Sequence, residues 1–269
     1  MTGWAPVEEA VSEVIAPFPA QAMAATLNRD EGFAPGTPLP PLWHWFHALR
    51  VYPMAQAGED GHQALGHLMP PLPLPRRMWA GGRLVFHAPL RIGEAVTRRS
   101  VVTQVAEKVA RSGPLAFVTL RHRWQAGAAL RIVEEQDVVY RRADAPAGAL
   151  LPAPDGEDLR RSLTLGPVEL FRYSALTFNG HRIHYDRAFC AAEGYSGLVV
   201  HGPLLATLLL DLLRIEGARL PRRFEFRATA PVIAGTHFTL CARIEGDSAL
   251  LWVRREDGAL AMQASAELE

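Results

Sequence analysis

Gly202-Pro-Leu-Leu-Ala-Thr-Leu-Leu-Leu-Asp-Leu-Leu213 is apolar on nearly every side. A helix at a protein surface carries an apolar stripe, whereas one that is apolar all round must be enclosed. Pro203 suits the first helical position, and Gly202 beside it leaves the early amides approachable. Strands are expected downstream at 222–230, 236–245, 248–255 and 259–268. In Thr236–Ile244, Phe238, Leu240, Ala242 and Ile244 alternate with His237, Thr239, Cys241 and Arg243, the two-residue period of a strand with two unlike faces. An enclosed helix followed by four antiparallel strands describes a sheet wrapped around a helix, an α+β architecture.

The first half follows the same order. A helix is expected over 42–50, then a loop-like insertion over 51–77, then strands at 83–90, 97–110, 115–126 and 129–141. Thr119, Arg121 and Arg123 alternate with Val118, Leu120, His122 and Trp124, so that strand has one wet face. Phe86-His-Ala-Pro-Leu-Arg-Ile-Gly93 is weakly echoed by Phe226-Arg-Ala-Thr-Ala-Pro-Val-Ile-Ala-Gly235, which suggests duplication. Residues 143–158 hold Asp, Ala, Pro and Gly without apolar periodicity and read as a linker. The expected units are therefore 1–142 and 159–269. Near the N-terminus, 6–15 and 20–28 carry helix-compatible patterns with Pro6 and Pro19 as starters. In the second half, helices are expected near 168–176 and 187–193.

Composition narrows the function. With 269 residues, 49% of them hydrophobic, the chain is far too apolar to be disordered. Its 28 basic and 28 acidic side chains cancel, so no global field recruits a nucleic acid. Cys190 and Cys241 are too few for a disulfide scaffold. No basic residue precedes Arg29, which argues against a secretory or transit segment, and the apolar run over 197–213 is too short and interrupted for a membrane span. A soluble cytoplasmic protein is expected.

The densest polar constellation is Phe171-Arg-Tyr-Ser-Ala-Leu-Thr-Phe-Asn-Gly-His-Arg-Ile-His-Tyr-Asp186, followed by His201-Gly202-Pro203 at the mouth of the enclosed helix. Imidazole beside oriented amides suits proton transfer next to a carbonyl: histidine moves a proton near neutral pH, and backbone N–H groups hold the developing oxyanion. Such histidines also serve as caps and surface residues, and spacing alone does not separate the two roles. His181-x-x-His184 with Asp186 lacks a third ligand at a known spacing, so no metal is expected. His44 and His47, set among Trp43, Trp45 and Phe46, read as core or pocket wall.

Ala175-Leu-Thr-Phe-Asn-Gly-His-Arg-Ile-His-Tyr-Asp-Arg-Ala-Phe189 with Gly197-Leu-Val-Val-His-Gly-Pro203 resembles the hydratase motif of the MaoC-like double-hotdog enzymes. More narrowly, it is similar to the branch of mesaconyl-C4-CoA (3-methylfumaryl-CoA) and itaconyl-CoA hydratases, which includes mitochondrial 3-hydroxyacyl-thioester dehydratases. Leu39-Pro-Pro-Leu-Trp-His-Trp45, Leu74-Pro-Arg-Arg-Met-Trp-Ala-Gly-Gly-Arg83 and Glu134-Glu-Gln-Asp137 agree with that branch, so the resemblance spans nearly the whole chain. It implies a double hotdog, each half an antiparallel sheet around a central helix, and reversible addition of water to an α,β-unsaturated acyl-CoA. It further implies no cofactor beyond the CoA thioester, and a homodimer; charge and hydropathy, as above, lead to the expectation of no nucleic-acid or membrane partner.

The family motif reads Ser-Gly-Asp-x-Asn-Pro-x-His, its Asp and His activating water and its Asn orienting it. Here Asn179 stands at the Asp position, His181 at the Asn position and His184 at the His position, with Phe178 for Gly and Arg182 for Pro. An amide cannot act as a carboxylate base. The resemblance therefore assigns the base to His184, with Asn179 orienting water or imidazole, His181 delivering a proton or fixing His184, and Asp186 as a candidate orienter. The Gly202 N–H would hold the thioester oxygen.

Arg172 and Arg182 are candidates to bind the free carboxylate of a C4–C5 dicarboxylic acyl group by a guanidinium fork. Tyr173 and Trp79 are further substrate-binding candidates, and Arg76 and Arg77 are candidates for the CoA phosphates. The first half lacks the His-rich loop and is expected to accommodate the acyl-CoA. A fatty-acid-type 3-hydroxyacyl-thioester dehydratase, a hotdog thioesterase and a non-catalytic acyl-thioester binder are the competing readings. The amide at Asn179 keeps the binder open.

Overall fold

Ten antiparallel strands form one continuous sheet in the computed structural model, which describes residues 3–110, 113–142 and 148–269. In chain order the elements are β1 (Glu9–Val14), α1 (Pro17–Thr26), β2 (Arg76–Phe86), β3 (Ala95–Ala110), β4 (Gly113–Ala126), β5 (Ala129–Arg141), β6 (Leu159–Thr164), α2 (Pro167–Thr177), α3 (Arg187–Ala192), α4 (Gly202–Glu216), β7 (Pro221–Ala228), β8 (His237–Glu245), β9 (Ser248–Arg255) and β10 (Leu260–Leu268). Spatial order is β1-β3-β4-β5-β2-β7-β10-β9-β8-β6. Read outward from the centre, β2-β5-β4-β3-β1 on one side matches β7-β10-β9-β8-β6 on the other.

The two halves meet where β2 pairs with β7, Gly82 opposite Phe226. A Cβ on Gly81 would lie 2.3 Å from the Phe226 carbonyl oxygen, and one on Gly82 would lie 2.7 Å from that of Glu135. The Gly81-Gly82 pair therefore lets backbones close up at the seam, beside a register shift between Trp79 and Gly81.

Helix α4 is enclosed as its composition requires: every residue from Leu204 to Leu213 is buried. Its one buried charge, Asp211, meets Arg29 at 2.8 Å and Arg214 at 3.1 Å, which compensates the burial. The helix packs on β8, β6, β9 and β10.

The first half departs from the expected plan. No nine-residue helix spans 42–50; a single 3₁₀ turn, Trp43–Phe46, stands there between Leu42 (φ 69°) and Ala48 (φ 46°). Left-handed backbone on both sides stops propagation, and all four aromatic residues of the turn are buried. The segment expected to be helical over 6–15 contains β1, an edge strand paired with β3 from Glu9–Ser100 to Val14–Ala95. Its alternating exposure is a two-residue pattern, and the open edge of β3 supplies the hydrogen bonds.

Helix α1 begins at Pro17 rather than at 20. The β2 strand runs over 76–86 instead of 83–90, and β6 went unforeseen. Of the linker expected over 143–158, residues 143–147 lie outside the described residues. The remainder lies against the second half through the Pro152–Ala259 bridge and Arg254, which donates to the Pro154 carbonyl and to Glu157.

Candidate active site

Helix α2 ends at Phe178, whose left-handed backbone (φ 50°) turns the chain across the start of α4. The Asn179 N–H closes this turn on the Ser174 carbonyl at 2.9 Å, and the Asn179 side-chain oxygen accepts the His181 N–H at 2.9 Å, an Asx turn. A 3₁₀ turn, Arg182–His184, follows. Asp186 then caps α3 by accepting the Phe189 N–H at 3.0 Å. Sequence-adjacent histidines are thus folded back over the α4 N-terminus.

His184 is the best-defined group there. Its Nδ1 lies 2.7 Å from the Val199 carbonyl oxygen. A carbonyl only accepts, so Nδ1 carries the proton and Nε2 keeps its lone pair. The Val199 carbonyl is itself placed by strand-like contacts, since Val199 N–H donates to Ile183 and Val200 N–H to Val232. His201 stacks on His184 with ring centroids 3.5 Å apart and planes 18° apart. It is held by Ser174 Oγ, 2.8 Å from its Nε2. Tyr173 packs against the other side of His201 at 4.9 Å.

His181 meets His184 edge-on at 5.7 Å and stacks on His62 at 4.7 Å. Burial lowers the pKa of His184 to about 3, with His181 adding to the effect and the Val199 carbonyl opposing it. Burial likewise lowers His62 to about 3 and His181 to about 4, and holds His201 well below its ordinary value. All four rings are therefore neutral at pH 7.

His62 belongs to the insertion of the first half, and that insertion is docked on the His181–His184 loop backbone to backbone. The Arg182 N–H donates to the Asp60 carbonyl at 2.9 Å. A Cβ on Gly61 would lie 2.0 Å from the Gly180 oxygen, and one on Gly180 would lie 2.7 Å from the Gly61 oxygen. Arg77 clamps the insertion by donating through Nε and Nη2 to the Asp60 carboxylate at 2.7 and 2.9 Å.

Two cavities meet at this centre. One, of about 390 Å³, is lined by His181, His184, Asn179, Tyr173 and Gly202, with Trp45, Arg98, His122 and Gln136 from the first half. The other, of about 470 Å³, is lined by Ile183, Val199, Val200, Leu205 and Tyr195, with Arg76 and Arg141. His184, Gly202, Met78 and Trp79 face both. At Gly202 a Cβ would find nothing nearer than the Trp79 carbonyl oxygen at 3.9 Å, so the space before the α4 amides is open. Pro203 follows it and has no N–H, which leaves the Gly202 amide as the foremost donor.

The structure brings together His184, His181, Asn179, Gly202, Tyr173 and Trp79. It does not bring in Arg172, exposed on the outer face of α2. Arg182 is engaged elsewhere, donating to Asp186 at 2.7 Å and stacking on Phe189 at 4.5 Å; neither arginine lines the two cavities. Asp186 orients no imidazole, because the cap and Arg182 take its oxygens. Arg77 is committed to Asp60, and Arg76 to Glu193 at 2.7 Å. Among the described residues no group of three His, Cys, Asp or Glu side chains is arranged to hold a metal, and no helix is long and apolar enough to cross a membrane.

Sequence reasoning missed His62, Ser174 and the Val199 carbonyl. The Asp-Gly-His run at 60–62 inside the loop-like insertion was the available signal for the first. It also missed Arg98 and His122. His122 was visible as a polar residue on the otherwise apolar face of its strand.

A family model described as hydroxyacyl-thioester dehydratase type 2 matches residues 42–234. The mesaconyl-C(4)-CoA hydratase of Chloroflexus aurantiacus is 46% identical over 271 residues, covering 98% of this chain and 96% of that protein. The mitochondrial hydroxyacyl-thioester dehydratase type 2 of Schizosaccharomyces pombe is 28% identical over 81% of each. Among solved structures, a MaoC-like dehydratase from Phytophthora capsici superposes with a TM-score of 0.71 at 14% identity, over 99% of this chain and 96% of that one. A Mycobacterium tuberculosis protein described as having a double hotdog fold superposes with a TM-score of 0.55 at 16% identity, over 100% and 97%. The fold is a double hotdog.

Proposed function

Given that this chain belongs to the hydroxyacyl-thioester dehydratase type 2 family and is a hydro-lyase, we propose that it adds water reversibly to a C4–C5 dicarboxylic α,β-unsaturated acyl-CoA, with His184 as the base. The observation that carries this assignment is the His184 Nδ1–Val199 hydrogen bond of 2.7 Å, which leaves Nε2 unprotonated beside the open Gly202 amide.

The steps follow from that geometry. The thioester lies at the α4 N-terminus, its oxygen receiving the Gly202 N–H. Water sits between Asn179, whose amide NH₂ donates to it, and His184 Nε2. The imidazole takes a proton from water as oxygen bonds to the β-carbon, and the π electrons move to the thioester oxygen as an enolate. Amide donation and the helix dipole stabilise that charge. The imidazolium then returns its proton to the α-carbon, so H and OH are added across the double bond. Asn179 cannot be the base, and its oxygen is already committed to the His181 N–H. His201 and His181 hold the His184 ring in place by packing against it.

In this reading residues 1–142 accommodate the acyl group and residues 159–269 carry the chemistry. The apolar second cavity takes the pantetheine arm, with Arg76 and Arg141 at its edge. Cys190 and Cys241 are buried thiols suited to a reducing cytoplasm. Phe18 on α1 and Phe171 on the neighbouring α2, both exposed, suit a homodimer contact.

The test is a wild-type assay against mesaconyl-C4-CoA, itaconyl-CoA and crotonyl-CoA, read by product mass and free thiol. A product heavier by one water with no thiol release is expected. Thiol release would make the chain a thioesterase, and inactivity on all three would make it a binder.

A further inference from the structure

The far wall of the acyl cavity is polar, and the first half builds it. Ser100, His122 and Glu134 lie in register across β3, β4 and β5, with Arg98 opposite Trp124 one step along the same face. Glu134 is 1% exposed yet fully engaged: it accepts from Trp45 Nε1 at 2.8 Å and from Gln136 at 2.6 Å, and lies 3.2 Å from His44 Nε2. Burial alone would raise its pKa, but His44, His122 and Gln136 outweigh that and hold it at about 2. It is an anion already satisfied by its neighbours.

Two members of this wall are not satisfied. His122, 4% exposed, is bonded through Nδ1 to Ser100 Oγ at 2.7 Å, while its buried Nε2 closes no well-formed hydrogen bond among the described residues, although Gln136 lies near enough to interact with the ring. Arg98 lies with its guanidinium 5.8 Å from the Trp124 ring centre, its Nε buried and unbonded. It forms no ion pair among the described residues. The carboxylates nearest in influence, Glu134, Glu9 and Glu13, hold other partners: Glu9 pairs with Arg50 at 2.7 Å and Glu13 with His47 at 2.7 Å. The other arginines of the cavity, Arg50 and Arg77, are paired with Glu9 and Asp60. Arg98 is thus the cavity arginine without a counter-charge among the described residues, and burial already disfavours its charged form. A partly buried guanidinium left unpaired is costly unless an anion arrives.

We propose that Arg98 and His122 together read the free carboxylate of the acyl group. This rests on the reading of the chain as an acyl-CoA hydratase. Arg98 supplies a two-pronged charged donor. When Ser100 donates its hydroxyl proton to Nδ1, His122 presents Nε2–H to the same anion. The docked carboxylate fixes the β-carbon relative to His184, and an uncharged acyl chain leaves both donors unpaired. Discrimination against the uncharged chain is then large, because buried polar groups are left unmet.

The experiment measures kcat/KM of wild type, Arg98→Met and Arg98→Lys on mesaconyl-C4-CoA and on crotonyl-CoA. The ratio of the two is expected to fall roughly 10²–10³-fold in Arg98→Met, as when one partner of a buried charge pair is removed. It should fall less in Arg98→Lys, which keeps the charge without the fork; if the Met variant does not fold, the Lys variant decides. An unchanged ratio, or parallel loss on both substrates, overturns the proposal. Wild type that hydrates crotonyl-CoA but not the dicarboxylic thioester would instead sink the dicarboxylic reading itself, and this proposal with it.

Discussion

The imidazoles of His184 and His201 lie parallel, 3.5 Å apart, one bonded to the Val199 carbonyl and the other to Ser174 Oγ. The stack holds one nitrogen, His184 Nε2, at the junction of two cavities with its lone pair free. His184→Ala should lower kcat/KM by about 10²–10⁴-fold, the usual range for a positioned acid–base group. Steady-state hydration kinetics measure this, and undiminished turnover would defeat the mechanism.

In the proposed mechanism His201 acts through His184, as a positioning residue. In His201→Phe an aromatic ring can still stack, but the Ser174 bond is lost. The expected result is a fall of kcat of about tenfold, much smaller than for His184→Ala, with KM little changed. A loss equal to that of His184→Ala would mean that His201 exchanges protons itself.

Acid should unfold the protein before it titrates the base. His62, His122, His181 and His184 are held at about 3 to 4, against an ordinary 6.5, chiefly by burial. Each therefore binds its proton more readily in the unfolded chain. The stability contributed by keeping them neutral is present above about pH 6.5 and is lost as pH falls toward 4, by about 1.4 kcal/mol per group per unit. Urea midpoints should drop steeply between pH 6.5 and 5, while kcat at pH 8 to 6.5 shows no inflection at an ordinary histidine value. A stability plateau down to pH 5 would contradict these buried neutral rings.

Gly202→Ala separates fold from function. An added methyl meets only the Trp79 carbonyl oxygen, at 3.9 Å, so the melting temperature should stay close to that of wild type. In the proposed mechanism the same methyl stands beside the amide that receives the thioester oxygen. Turnover should fall by about 10²-fold, comparable with removing one oxyanion donor. Equal turnover would place the oxyanion elsewhere.

Gly61→Ala should do the reverse. The new Cβ would lie 2.0 Å from the Gly180 oxygen, at a backbone φ of +88°. Both the strain and the clash push the insertion off the His181–His184 loop, at a cost of about 1–3 kcal/mol. Chemical denaturation measures the loss, and activity should fall with it because His62 and the Asp60–Arg77 clamp move away from His181.

Much of this protein was legible in the chain before any geometry. Apolar residues on all sides of 202–213 require an enclosing sheet, and the two-residue alternation in 236–268 locates β8, β9 and β10 to within a residue or two, because burial acts on every position of those elements. The histidines of 181–184 and Gly202 were visible because their chemistry is local: a loop, a turn and a helix start. The edge strands β1 and β6 were not, since each is only six residues long and owes its conformation to the open edge of a distant neighbour. The turn at Trp43–Phe46 likewise depends on the core that receives its rings.

Tertiary structure alone decided which polar groups are spent and which are free. Arg172, Arg182 and Asp186 sit in or beside the motif, yet solvent, the α3 cap and Phe189 claim them. Arg98 and His122 lie far from the motif in sequence, on two neighbouring strands, and line the same cavity as His184. The order of residues determines which chemistry is present. Burial and pairing, set by contacts between residues distant in the chain, determine which of those groups is left with an unmet charge or an unshared lone pair.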